Sequence, residues 1–198
     1  MRGHWFPSIV SALEKRGVEA EIAAHLPVTT RHILRSADPA GWYDEGHTLA
    51  IFQEIARQHG PAATRELARD AARFAMFGPW RDLMAALVLL LGGTPRMAFE
   101  QLPVLWSASR RDAGTLRCVA SSARHAVTEL SGFALAADAT WAEVWLGHHD
   151  ALLRHLRFGG QAALEAVDGP SGVVRVRTSF GPPIAGAPPT NDGRSSGG

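Results

Sequence analysis

The feature that most constrains the fold is a change of hydrophobic periodicity near Thr115. Before this point, apolar residues recur at the three- and four-residue spacing of α-helices almost throughout. After it, short runs with the apolar and polar alternation of β-strands flank one amphipathic helical segment, Thr140–Phe158. This order predicts a single α+β domain over residues 1–180. In it, an N-terminal helical layer packs on a small antiparallel sheet, and one amphipathic helix is inserted between two pairs of strands.

Residues that start or stop helices divide the helical half. The apolar spacing predicts one helix over Ser8–Leu26, and Thr29 and Thr30 are suitable caps for a short helix after it. Gly60 and the proline that follows it separate two longer helices. Thr94 is the predicted N-cap of a further helix that begins with proline.

Leu83–Leu91 is apolar without interruption. Nine residues are too few to cross a bilayer, so we predict no membrane span there. An all-apolar helix of this length is typical of a central buried helix or of an oligomer contact. If the segment forms an oligomer contact, the protein would be a structural homodimerisation domain, which is the alternative function.

The last third contains two predicted pairs of strands. Leu116–Ala120 and Ala126–Phe133 form the first pair, and Ala162–Val167 and Val173–Phe180 form the second, a hairpin around a turn rich in Gly and Pro. Residues 181–198 are dominated by Pro, Gly and Ser, which predicts a disordered tail.

Charge and cysteine usage exclude several classes of function. The formal net charge is +1, so no strong field attracts nucleic acid. The N-terminus carries mixed charges where a secretory signal would be apolar, which favours a cytoplasmic protein. Cys118 is the only cysteine, and its place in an alternating run predicts a buried, unreactive side chain.

Aromatic residues are abundant, but no catalytic motif accompanies them. The chain has six Trp and eight Phe, more often used as core anchors than as a cofactor site. Some of the indoles, including Trp106 and Trp145, are candidates for the rim of an apolar ligand cavity. His148 and His155 lie two turns apart on the same face of the last helix and are candidates for its wall.

A consecutive His148, His149 and Asp150 is the nearest approach to a reactive cluster. A metal-dependent hydrolase with an Asp/His site would need further ligands from other helices, and none is identifiable. The preferred interpretation is that His148 packs inward beside Trp145, while His149 and Asp150 face solvent. We therefore predict no metal site and no enzymatic activity.

A set of short motifs carries a resemblance that extends over about residues 1–180. In chain order, the motifs are Arg2-Gly3 with Phe6, Leu26-Pro27, Gly41-Trp42-Tyr43, Glu66–Arg69, Leu102–Trp106, Gly114, Leu130 with Gly132-Phe133, and Gly147. In this order and spacing, the chain resembles a family of paralogous myxobacterial domains of unknown function. That family is similar in layout to heme–nitric-oxide-binding domains, 4-vinyl-reductase-type domains and transport-particle subunits.

The resemblance implies a fold that binds heme, hydrophobic small molecules or partner proteins between helices and a short sheet. Heme-binding members use a histidine on a middle helix and a Tyr-x-Ser-x-Arg motif. Here Ser122 and Arg124 match the end of that motif and are implied ligand-binding residues, but Ala120 occupies the Tyr position. No histidine lies between His59 and His125, so we predict no cofactor.

Together these observations predict a non-enzymatic sensory or adaptor module. It would bind a hydrophobic small molecule or a partner protein, with an apolar cavity between the sheet and the helices around residues 83–106.

Overall fold

The computed structural model describes residues 1–77, 94–168 and 171–184. In these ranges the elements are α1 (Trp5–Arg16), α2 (Glu19–His25), α3 (Val28–Ser36), α4 (Glu45–Phe77), α5 (Pro95–Ser109), β1 (Thr115–Ser121), β2 (His125–Ser131), a short 3-10 helix (Ala134–Ala137), α6 (Ala139–His155), β3 (Phe158–Asp168) and β4 (Val173–Pro183).

The four strands form one antiparallel sheet in the order β1-β2-β4-β3. The chain makes the hairpin β1–β2, crosses through α6, and returns with the hairpin β3–β4, whose second strand pairs with β2. Leu130 and Val174 face each other in this central register and are both buried. The α+β class, the helical N-terminal part and the helix between the two strand pairs are therefore confirmed.

Several helix boundaries differ from the prediction. Ser8–Leu26 is not one helix, because the backbone at Gly17 adopts the left-handed region (φ 69°) and separates α1 from α2. The predicted capping by Thr29 and Thr30 is wrong, since α3 begins at Val28 and no side chain caps it. The prediction at Thr94 is confirmed, because its hydroxyl accepts a hydrogen bond from the amide of Met97.

The longest helix, α4, is broken at Gly60, where the sequence predicts a separation into two helices. Its halves pack against different elements of the core. Ile51, Phe52 and Ile55 in the first half and Leu67 in the second are almost fully buried. Helix α6 crosses α4 on one side and contacts β3 on the other, so α6 lies between the helical layer and the sheet.

Two predictions concern segments at the edge of the described residues or outside them. β4 extends to Pro183, three residues beyond the predicted end of the domain. The rest of the predicted tail lies outside the described residues, as does Leu83–Leu91, the segment on which the homodimer alternative depends. Within the described ranges, no helix has the length and apolarity needed to cross a membrane.

The crossing of α4 and α6 depends on Gly147. A Cβ atom at this position would lie 2.4 Å from the carbonyl oxygen of Arg65 and 2.8 Å from the Cβ atom of Ala68. Both are parts of a packed helix, so the two helices would have to separate.

We therefore expect Gly147→Ala to lower the free energy of unfolding by about 2 kcal/mol, in spite of the better helix propensity of alanine. Urea denaturation followed by circular dichroism measures this change. Glu143→Ala is the matched control, since it also places alanine on α6, and it should change stability by less than about 0.5 kcal/mol. A Gly147→Ala protein as stable as the wild type would show that this crossing tolerates a methyl group.

Candidate functional site

A cavity of about 110 Å³ lies among the helices. It is bounded by α1, the second half of α4, α5 and α6, and part of it is open. The described residues that line it are His4, Trp5, Ala72, Ala75, Leu102, Leu105, Trp106, Ser109, Arg110, Trp145, His148, His149 and Leu152. The cavity was predicted between the helices and the sheet, but none of these residues belongs to a strand, because α6 separates the cavity from the sheet.

Aromatic rings form much of the cavity wall. Trp106 of α5 and Trp145 of α6 meet edge to face, with ring centroids 5.1 Å apart. The ring of His148 lies 5.2 Å from that of Trp5, and the ring of His149 lies 4.6 Å from that of Trp145. Such contacts add to the stability gained from burial and hold the rings in defined positions. The wall is therefore rigid and mainly apolar.

One permanent cation, Arg110, lies in this wall directly after α5. Its Nη1 atom donates to Oε1 of Glu45 at 2.7 Å, and the two side chains are only 3% and 8% exposed. The guanidinium also lies over the ring of Trp106, 4.3 Å from its centroid. The same carboxylate oxygen is 3.5 Å from the amino group of Met1. The cavity thus borders a buried ionic cluster.

Sequence reasoning missed this cluster. Arginine accounts for nearly all the basic residues of the chain, and buried arginines cannot be distinguished from exposed ones by composition. The sequence contains one weak signal for the contact between Arg110 and Trp106. The two residues are four positions apart, the spacing at which side chains on one helix meet.

His149 is buried, which corrects the interpretation that it faces solvent. It is 1% exposed; its Nδ1 lies 2.8 Å from the carbonyl oxygen of Trp145, and its Nε2 lies 2.8 Å from the hydroxyl of Thr128. Because a carbonyl can only accept, Nδ1 carries the proton and Nε2 accepts from Thr128. Burial lowers the pKa of His149 from 6.5 to about 4, so the imidazole is neutral and both nitrogens are engaged.

Asp150 is also committed to a structural contact. Nε of Arg65 donates to its Oδ2 atom at 2.8 Å, and the amide of Ala162 donates to Oδ1 at 3.1 Å. Arg65 further donates to the carbonyl of Ala162 at 2.8 Å. This arrangement ties α4, α6 and β3 together, so Asp150 does not act with His149 as a metal ligand pair. The described residues contain no group of three His, Cys, Asp or Glu side chains able to hold a metal ion.

His148 lies beside Trp145, as the sequence predicts, with ring centroids 6.1 Å apart. Burial and then the positive charge of Arg110 lower its pKa well below the usual value of 6.5. The pKa of His4, on the same cavity, is lowered to about 4 by burial and by the charges of Arg2 and Arg110. Both histidines are therefore neutral near pH 7.

The six predicted ligand-binding residues lie in three places. Trp106, Trp145 and His148 line the cavity together. Ser122 and Arg124 lie in the turn between β1 and β2, where the Ser122 hydroxyl accepts from the Arg124 amide at 3.1 Å. His155, the last residue of α6, is outside the lining, and burial lowers its pKa.

Cys118 is half-buried on β1, and not fully buried as the alternation predicts. Burial and the charge of Glu100 raise the pKa of its thiol. The thiol is therefore protonated near neutral pH and is a poor nucleophile.

Comparison with known proteins identifies the architecture. No family model matches the sequence, and no curated protein matches it. Solved structures do: an H-NOX protein mutant from S. oneidensis in the Fe(II) ligation state has a TM-score of 0.69 at 9% identity, over 93% of this chain and 98% of its own. An Fe(II) unliganded H-NOX protein mutant from K. algicida gives 0.67 at 11%, over 92% and 97%.

The chain has the fold of an H-NOX domain. A third neighbour, an oxygen-binding H-NOX domain related to soluble guanylate cyclases and solved as its oxygen complex, gives a TM-score of 0.59 at 15% identity, over 94% of this chain and 98% of its own. At these identities the likeness concerns the fold. Whether this H-NOX-like chain can hold heme has to be decided from its own residues.

The described residues do not fit heme. Helix α5, Pro95–Ser109, contains no His, Cys or Tyr, three of the side chains that ligate heme iron, and its one methionine does not line the cavity. Of the cavity histidines, His149 already uses both ring nitrogens. The volume of about 110 Å³ is also below the range of roughly 300–1,000 Å³ that holds drug-sized ligands, and a porphyrin is larger than many of these.

Proposed function

We propose that this domain is a heme-independent binding module for small apolar molecules, with a sensory or adaptor role and no enzymatic activity. The observation that carries the proposal is the cavity among α1, α4, α5 and α6, walled by Trp5, Trp106 and Trp145. Apolar cavities of comparable size, about 150 Å³, bind benzene or xenon when their walls are rigid and dry.

Two of the structural neighbours support a binding role. One was solved as its oxygen complex, and another was used to probe the function of heme distortion in the H-NOX family. In this chain the fold surrounds a cavity of about 110 Å³ whose histidines are neutral and engaged in packing. Binding of an apolar molecule without iron chemistry is the use that these residues support.

The adaptor role, the family membership and the cellular location are proposals as well. The occupied cavity would bias the packing of α5 against α6, and a partner protein would detect this change; that is the adaptor part of the proposal. Membership of the paralogous myxobacterial family stays a prediction from the sequence motifs, and a cytoplasmic location stays a prediction from the mixed charges of the N-terminus.

The first test concerns heme. Titration of the purified protein with hemin should give no stoichiometric absorption band beyond that of free hemin, because α5 offers no His, Cys or Tyr, His149 uses both ring nitrogens and the cavity is smaller than a porphyrin needs. A stoichiometric band that is lost in His148→Ala would contradict the proposal, since it would show that a cavity histidine ligates the iron.

The second test concerns the cavity itself. Benzene should shift the indole N–H resonances of Trp106 and Trp145 in a saturable manner, as observed by nuclear magnetic resonance. Ala75→Leu places a larger side chain in the cavity and should abolish saturation. Ala62→Leu is the matched control, because it makes the same substitution at an exposed position of α4, and benzene binding should persist. Absence of saturable shifts in the wild type would refute the proposal.

A further inference from the structure

The outer edge of β3 is the feature of the sheet most open to association. In the described part of the chain β3 ends the strand order and is hydrogen-bonded to β4 on one side. The other side of an edge strand presents backbone N–H and C=O groups that can pair with a further strand. Folded proteins therefore protect long edges with charges, bulges or covering elements.

Ala162, near the middle of β3, has both of its backbone groups engaged by side chains. Its N–H donates to Oδ1 of Asp150 at 3.1 Å, and its carbonyl accepts from Nη2 of Arg65 at 2.8 Å. Since these bonds reach α6 and α4, both groups point away from β4. Nε of Arg65 also donates to Oδ2 of Asp150 at 2.8 Å. In an antiparallel ladder, one residue of the next strand would make both of these backbone bonds. The Arg65–Asp150 pair therefore takes the place of such a residue.

The covered position is the centre of the most regular part of this edge. The register between β3 and β4 shifts before Gly160 and after Leu164, and it is unbroken between them. Ala162 is the middle residue of this stretch. Beyond it, the strand exposes apolar side chains, with Leu164 41% and Val167 48% exposed. An edge of this kind associates with other strands unless it is covered.

A second copy of Gly160–Leu164 is the strand that fits this edge. In an antiparallel pair centred on Ala162, Leu164 of one copy faces Gly160 of the other, and Gln161 faces Ala163. None of the five residues is charged, so no like charges oppose each other. The side chains are small apart from Leu164 and Gln161, and Leu164 faces a glycine. The stretch is therefore complementary to itself.

We propose that the Arg65–Asp150 pair is an edge cap that prevents β3 from pairing with β3 of a second copy. Without the cap, the N–H and C=O groups of Ala162 lack partners, and pairing with the same residue of another molecule satisfies both. The proposal concerns the association of the domain and does not depend on what the cavity binds.

The test removes the cap and measures association. The double variant Arg65→Ala with Asp150→Ala should self-associate at least about tenfold more strongly than the wild type. Analytical ultracentrifugation between about 10 and 300 µM measures this, and the species formed should be a dimer. Hydrogen exchange provides a local readout: the Ala162 amide of the double variant should exchange fast in dilute samples and slowly in concentrated ones. Circular dichroism confirms that each variant is folded.

Two further variants separate the cap from other effects of mutation. Asp150→Asn is the matched control, because its Oδ1 can still accept from the Ala162 amide, and it should associate no more than the wild type. The single variant Asp150→Ala frees the amide and keeps the contact of Arg65 with the carbonyl, so it disturbs packing less. It should associate to an intermediate degree, and it decides the question if the double variant does not fold.

A block of the edge tests the route of association. Leu164 lies two residues after Ala162 and directs its N–H to the same edge. Leu164→Pro, added to the double variant, removes this outward donor without removing a bond to β4, and it should abolish the dimer. Folded cap variants that associate no more than the wild type would overturn the proposal. A dimer that persists with Leu164→Pro would also overturn it, since association would then use another surface.

Discussion

Replacement of Glu45 by glutamine is expected to lower the free energy of unfolding by about 3–5 kcal/mol. Glu45 and Arg110 are almost fully buried and joined at 2.7 Å, and loss of the carboxylate leaves a guanidinium in the protein interior without its counter-charge. The amino group of Met1, 3.5 Å from the same carboxylate, loses its counter-charge as well and keeps only its hydrogen bond to the carbonyl of Tyr43. Equilibrium denaturation in guanidinium chloride at pH 7 measures the difference.

Two further variants separate the ion pair from a general effect of mutation. Glu129→Gln removes the carboxylate of a pair with Arg175, which is half exposed, and should cost less than about 1 kcal/mol. The double variant Glu45→Leu with Arg110→Leu should be more stable than Glu45→Gln, because it leaves no buried guanidinium without its counter-charge. A Glu45→Gln protein within 1 kcal/mol of the wild type would show that the guanidinium is better solvated than its burial indicates.

Acidification from pH 6.5 to pH 4 is expected to destabilise the fold by about 3 kcal/mol through His149 alone. Burial lowers the pKa of His149 from 6.5 to about 4, so in this interval the unfolded chain binds a proton that the folded chain does not. Stability is therefore complete above pH 6.5 and is lost as the pH falls. The pKa of His148 is lowered in the same direction, so its contribution adds to the loss.

Thermal unfolding monitored between pH 7.5 and pH 4.5 measures this dependence. His149→Gln keeps a neutral side chain that can donate and accept hydrogen bonds, and its melting temperature should vary less with pH. His59→Gln changes an exposed histidine on α4 and should leave the wild-type dependence intact. A wild-type melting temperature that is constant across this interval would mean that the folded protein binds a proton at His149 as readily as the unfolded chain does.

Much of the fold could be predicted from local signals in the sequence. The change of period at Thr115 locates the start of β1, and Thr94 locates the start of α5 through its cap. Two glycines of the motifs that carry the family resemblance have a physical reason in the structure. Gly3 and Gly147 both lie where another backbone passes closely, since a Cβ atom would be 1.9 Å from the Asp38 oxygen and 2.4 Å from the Arg65 oxygen.

The site was less predictable, because its residues are brought together from distant parts of the chain. Helix α6 contacts both α4 and the sheet, so it is buried on more than one side. A single apolar stripe is a poor guide to such a helix, which is why the sequence pattern places His149 toward solvent. The pairing of Glu45 with Arg110 spans 65 positions, and no local pattern indicates it. Indole positions were recognised, but their unmatched N–H groups become visible only in three dimensions.

The most direct test of a heme-independent apolar cavity is X-ray diffraction from crystals of the wild-type protein equilibrated with xenon under pressure. We predict anomalous density among Trp106, Trp145 and Leu152, since xenon occupies rigid apolar cavities of about this volume. A structure in which this space contains side chains and no xenon, or in which a heme purified with the protein occupies it, would contradict the account.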